Sequence, residues 1–201
     1  MLPLFPLANV VLFPGAYLPL HIFEPRYRAM VRDVVAGDGM IGMVVPRQGP
    51  SSETDVPAVY ATGCAGTIVH HEALADGRHN IVLRGVRKFS IRRERLTQPY
   101  REAEVQWLDE PLDEAMRAEL RTLRRRLDTL LMPAVARGDA QVPASMADDA
   151  FVNAVSQALD LDVIEKLSLL EKPDAATRAT VLVERLERLL LEQGSSDGPA
   201  H

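Results

Sequence analysis

Cysteine is almost missing from this chain. A single one, Cys64, stands among 201 residues, which excludes an intramolecular disulfide and suits a reducing cytoplasm. Lysine is nearly as scarce: Lys88, Lys166 and Lys172 are the only three among 23 basic residues. None of them stands in a G-x-x-x-x-G-K-[ST] pattern, so a phosphate-cradling loop of that kind is excluded. A basic excess is lacking too, since 28 Asp and Glu outnumber the 23 Lys and Arg. A non-specific nucleic-acid binder normally carries a clear basic surplus, so overall charge argues against that role and leaves room only for a local patch. Finally, no long apolar run is free of proline. The opening stretch carries no charge before Glu24, but Pro3, Pro6, Pro14 and Pro19 interrupt it. Each proline removes a backbone donor and costs roughly 3 kcal/mol inside a helix. The first basic residue is Arg26, too late for the basic start of a signal peptide. The stretch reads instead as short buried strands with prolines at their starts and edges.

What is present is ordinary in amount and uneven in distribution. At 47% apolar and 25% charged, the chain has the composition of a globular protein large enough to bury a core, as one domain or two small ones. Residues 1–109 hold 12 Lys and Arg against 11 Asp and Glu, whereas residues 110–201 hold 11 against 17. The first half patterns as strands near 2–6, 10–13 and 16–23, then a helix from Glu24-Pro25 to Gly37, then a strand at 40–46. Proline suits a first helical position, and Tyr27, Met30, Val31 and Val34 recur at helical spacing. Residues 47–57 are polar and rich in Pro and Ser, as in an exposed loop. Strands are expected again at 59–72, 79–84, 86–92 and 100–108, with a two-residue hairpin turn at Asp76-Gly77. Gly63, Gly66 and Gly85 fall inside these strands, as at bulges or tight corners. About seven short strands and one helix fit a small closed barrel.

The second half is helical. Leu120, Leu123, Leu127, Leu130 and Leu131 form one stripe, and Pro133 is expected to end that helix. Further helices are expected from Asp148, after a break near Asp160, and from Asp174 to Gly194. Their stripes suit a bundle core, because no heptad pattern is sustained.

Several segments together resemble a known family. The order LPLFPL, VVLFPG, LPLHIFEPRYRAMV resembles the opening of the N-terminal domain of Lon proteases. GRHNIVLRGVRKFSI (77–91) and PYREAEVQWL (99–108) look like that domain's later strands, and residues 148–186 like its helical extension. The resemblance implies an α+β fold: a PUA-like β-barrel domain at 1–109 with one inserted helix, followed by a helical subdomain at 110–201. It further implies a stand-alone, non-catalytic module of the cytoplasm that needs no cofactor. Such a module would bind unfolded or exposed polypeptide segments, on behalf of a protease or chaperone. RNA binding through a PUA-like barrel is the alternative.

Individual side chains offer little catalytic chemistry. Lys166 and Ser168 point to different sides of a helix, and Lys88 and Ser90 share a strand face without an evident oxyanion site, so a solvated face is expected there. For a metal, Cys64, His70, His71 and His79 are the candidates. A two-residue turn would place His79 opposite Leu74 and His71 opposite Val82, while Cys64 and His70 would lie about 20 Å apart at 3.3 Å per residue. No three ligands converge in that register. The candidate binding residues are Glu24, Arg26 and Tyr27 of the FEPRY segment, with Arg47, Arg84 and Tyr100. For FEPRY the competing reading is a helix start whose charges tie loops together and whose Tyr27 packs on the core. The strip Arg84, Arg87, Lys88, Arg92, Arg93 is divided between two sheet faces, with Arg84 and Lys88 together. Arg124, Arg125 and Arg126 are expected to fan around their helix in solvent, and Trp107 to lie in the core.

Overall fold

The computed structural model describes residues 1–47, 57–95, 99–136 and 146–196. Most of the loop expected at 47–57 lies outside them, as does most of the connector at 137–146. The chain divides into two compact units, one of residues 1–109 with 157–171 and one of 110–156 with 172–201. The first unit therefore takes in a segment from the helical half of the sequence.

The first unit is built on six strands: β1 (Leu2–Pro6), β2 (Tyr17–Ile22), β3 (Met40–Val44), β4 (Thr62–Ala73), β5 (His79–Arg95) and β6 (Arg101–Leu108). Helix α1 (Pro25–Ala36) lies between β2 and β3 in sequence. Strand β1 runs parallel to β3 and antiparallel to β6. Strands β3, β4, β5 and β6 pair antiparallel in succession, so five strands close a hydrogen-bonded circuit. Each member of the circuit is paired on both sides over part of its length. Strand β2 stands outside it, paired to the first half of β5. The length of β5, 17 residues, makes this arrangement work. One edge of β5 serves β4 with residues 79–90, and the other serves β2 with residues 79–84 and β6 with residues 88–95.

Glycine allows the close approaches. A Cβ on Gly85 would collide with the Phe13 carbonyl, and one on Gly63 with the Met43 carbonyl. The register slips between Ala65 and Gly66, opposite Arg87 and Gly85, as a bulge does. A core of Leu2, Leu4, Val44, Ala65, Phe89 and Ala103 fills the centre. Helix α1 faces inward with Tyr27, Met30, Val31 and Val34.

Several expectations are corrected. Residues 10–13 form no strand; Val11, Leu12 and Phe13 are buried without joining a ladder, so the apolar run reflects burial alone. The strands expected at 79–84 and 86–92 are one continuous β5, bulged at Gly85. Lys88 is not on a solvated face but 3% exposed, because the bulge changes the alternation after Gly85. Arg84, which is exposed, therefore shares no open face with it. Trp107 is 38% exposed rather than core, its ring edge-on to Phe89 with the Arg87 guanidinium over it.

Helix α3 (Asp148–Ala158) crosses from the second unit into the first, where α4 (Val163–Leu170) also lies. Asp162 caps α4, accepting from the backbone of Ile164 and Glu165 while the Glu165 carboxylate accepts from the Asp162 N–H. This reciprocal box satisfies donors that a helix start leaves open.

The second unit holds α2 (Glu114–Ala136) and α5 (Ala175–Ser196), which pack on each other. Helix α2 runs through Pro133 to Ala136, so the proline stands in its last turn rather than ending it. Helix α5 likewise passes Gly194. The three consecutive arginines do not simply fan into solvent. Arg124 reaches Asp148 at 3.1 Å and covers the Phe151 ring, and Arg126 pairs with Glu187.

Candidate functional site

The first-unit sheet presents one face that its own core does not cover. Strand β2 alternates, with Leu18 and Ile22 buried and Tyr17, Pro19 and His21 exposed. Phe23 continues the exposed row, its ring stacked near that of His21 at 6.4 Å between centroids. Tyr17 pairs with Arg84, Pro19 with Val82 and His21 with Asn80. Across β5, Arg84 pairs with Thr67, Val82 with His70 and Asn80 with Glu72. Val69 stands at a second slip in the β4–β5 register and is 50% exposed. Tyr17 and Phe23 are each 61% exposed. Large apolar side chains adjoining on one face differ from the scattered exposed hydrophobics of any protein surface.

Polar side chains interrupt this face, and some of them are paired. His21 meets Asn80 at 2.7 Å and the Arg78 guanidinium at 3.1 Å, and Asn80 donates to Glu72 at 2.8 Å. Asp76 pairs with Arg78 at 2.6 Å. The Arg78 backbone N–H, foremost, holds the Asp76 carboxyl below its usual range. What the face can do chemically is desolvate: it offers aromatic and aliphatic surface with a polar border. A second concavity, of about 370 Å³, is lined by Met1, Leu2, Met40, Val105 and Trp107, with Asp38 and Glu104 beside them.

The residues singled out in the sequence fall into separate groups. Glu24 and Arg26 pair with each other at 2.8 Å at the start of α1, and the Arg26 guanidinium covers the Tyr27 ring. Tyr27 itself is buried, its ring 4.3 Å from that of Phe5, and burial raises its phenol above the ordinary range. Tyr100 is buried as well and donates its hydroxyl to Asp33 of α1 at 2.8 Å. Burial first, and then that bond, push its phenol up to about 12. Both tyrosines therefore brace α1. Arg47 covers the Tyr60 ring. Only Arg84 lies on the apolar face, opposite Tyr17.

The basic strip does not form one surface. Lys88 is buried, Arg87 pairs with Asp109 at 2.6 Å, and Arg92 donates to Gln106. Among the described residues no three His, Cys, Asp or Glu side chains gather as a metal would require. Their helices include none long and apolar enough to cross a membrane. The odd positions of β2, Tyr17 to Phe23, were missed as functional candidates. Their alternation is visible in the sequence, but both faces of that strand are apolar, so the pattern does not say which faces solvent.

A mixed six-stranded sheet followed by helices places the chain in the α+β class, and comparison with known proteins narrows this. A profile of the ATP-dependent protease La (LON) substrate-binding domain matches residues 1–188. The chain belongs to that family, as the opening motifs and later strands implied. It is 26% identical over 195 residues to the Lon protease of Cytophaga hutchinsonii, covering 94% of this chain and 24% of the relative. With Lon protease 2 of Syntrophobacter fumaroxidans it shares 30% over 210 residues, covering 98% and 26%. The chain thus spans about a quarter of the length of these curated relatives. Among solved structures it resembles a Lon N-terminal domain protein from Xanthomonas campestris, with a TM-score of 0.61 and 29% identity over 91% of this chain and 96% of that one. The N-terminal domain of a Mycobacterium avium complex Lon protease has the same fold, with a TM-score of 0.72 and 19% identity over 92% and 97%.

Proposed function

We propose that the chain is a polypeptide-recognition module that holds unfolded or exposed apolar segments on the outer face of β2, β5 and β4. The observation that carries this reading is the row Tyr17, Pro19, Phe23 beside Val82 and Val69. Aromatic side chains with few rotatable bonds bury much area at low entropic cost, which is what recognition of many different segments needs. Family membership supports the same reading, since the matched domain is described as substrate-binding. The module itself works without catalysis, on behalf of a protease or chaperone. We read the five-stranded circuit as a small closed barrel of the PUA-like type, with β2 appended.

The test is a fluorescence-anisotropy titration of the full chain against labelled casein, an unfolded polypeptide, beside a stably folded protein of similar size. Saturable binding of casein alone is expected. Equal binding to both proteins, or to neither, would remove the proposal.

A further inference from the structure

A separate cluster lies on the other face of the β4–β5 hairpin, independent of the apolar face. His79 opens β5 and is 6% exposed. It pairs with Ala73, and His71 pairs with Ile81 two residues further on, so both imidazoles project from one face. Here the structure corrects the expected hairpin. The connection runs from Leu74 to Arg78, with Gly77 at φ +79°, which shifts the register by one residue from that of a two-residue turn. The shift brings His71 Nε2 to 3.0 Å from His79 Nδ1.

Helix α1 covers this pair with cations. Arg28 lies against the hairpin turn, since a Cβ on Gly77 would collide with its Nη2. Arg32 is one turn further along the same helix face. Burial lowers the proton affinity of His79, and the nearby His71, Arg28 and Arg32 lower it further. Among the described residues no carboxylate pairs with Arg28 or Arg32. Their neighbours differ: Arg26 has Glu24, Arg78 has Asp76 and Arg101 has Glu94. Of the remaining charges nearby, Glu72 and His21 are bonded to Asn80 on the opposite face, and Asp33 is held by Tyr100.

Four cationic or protonatable groups gather here, and among the described residues no carboxylate pairs with either arginine. We propose that Arg28, Arg32, His71 and His79 form a binding site for a phosphate dianion. Two guanidinium forks offer donors matched to tetrahedral oxygens, and the imidazoles add one donor each. A single carboxylate would neutralise only one of these charges, which favours the doubly charged ligand. The bond between the imidazoles needs one ring as acceptor; an anion replaces that bond and lets both rings donate. A proton taken up by His79 adds positive charge to the site, so affinity rises as pH falls.

Isothermal titration of the full chain tests this with inorganic phosphate, pyrophosphate, a phosphoserine peptide and the same peptide unphosphorylated. Sulfate, a dianion throughout, isolates the protein's own protonation at about pH 5.5 and about pH 8. Binding of either a free phosphate species or the phosphopeptide, but not the unphosphorylated peptide, is expected and separates the two sources. Sulfate affinity is expected to be higher at the lower pH. Arg28→Gln and Arg32→Gln should each weaken binding by about tenfold, the loss of one charge-assisted contact. Arg93→Gln, an exposed arginine of β5, should leave it unchanged. Equal loss in all three variants, a pH-independent sulfate affinity, or equal binding of the unphosphorylated peptide would overturn the site.

Discussion

Replacing Glu110 with alanine is expected to destabilise the second unit sharply, for a reason visible in one side chain. Arg178 of α5 is 0% exposed, and its guanidinium meets Glu110 at 2.5 and 3.4 Å and donates also to Asn153. Removing one partner from a buried ion pair typically costs about 3–5 kcal/mol, because the remaining charge stays desolvated. Glu110 keeps 16% of its side chain exposed, so water can enter in its place and the lower end, about 3 kcal/mol, applies. A small domain loses roughly 4–8 °C in Tm per kcal/mol. The drop in Tm should therefore exceed about 10 °C.

Circular dichroism against temperature and urea measures this directly, with a second variant as the diagnostic. Replacing both partners, Glu110→Leu with Arg178→Met, removes the buried charge altogether and should recover much of the loss. A Glu110→Ala cost below about 1 kcal/mol would place the pair among ordinary surface bridges. A double variant less stable than Glu110→Ala would equally refute the reasoning, since packing rather than charge would then dominate.

Gly63→Ala should destabilise the first unit by about 1–3 kcal/mol or more in urea unfolding, because the added methyl meets the Met43 carbonyl, the Phe89 ring and Val44 together. Tyr100→Phe should lose about 0.5–1.5 kcal/mol at neutral pH with its bond to Asp33. The folded phenol titrates near 12 against an ordinary 10.0, so the native chain should lose stability as pH rises between those values, and Tyr100→Phe should show less of that slope. His79 has its proton affinity lowered on folding. Its contribution is therefore present above the ordinary histidine range and lost as pH falls below about 6.5. In buffer free of polyvalent anions, His79→Gln should flatten the acid side of a Tm-against-pH curve, and an unchanged curve would contradict that assignment.

Local rules made much of the first unit legible. Pro25 behind Glu24, followed by inward residues at helical spacing, marked α1, and the apolar runs bounded by prolines marked β1 and β2. What escaped depended on partners. Val11, Leu12 and Phe13 have the composition of a strand but are buried without joining a ladder. The bulge at Gly85 changed which residues face inward, hiding Lys88 and separating it from Arg84. A one-residue difference in the hairpin connection decided whether His71 and His79 meet. The FEPRY residues were visible as a cluster, and Tyr27 packs against Phe5 as the helix-start reading of that segment has it. The apolar face needed three strands in register before it existed at all.

The most direct measurement is casein affinity of Tyr17→Ser with Phe23→Ser, compared by anisotropy with the native chain and with Ile164→Ser. Both aromatics are 61% exposed and Ile164 is 48% exposed, so folding should survive in every variant, as unchanged melting would show. If β2 presents the recognition face, the double variant should bind casein at least about tenfold more weakly, the equivalent of one well-buried apolar anchor. Ile164→Ser should bind as the native chain does. Undiminished casein binding by the double variant, with its fold intact, would contradict the assignment of that face.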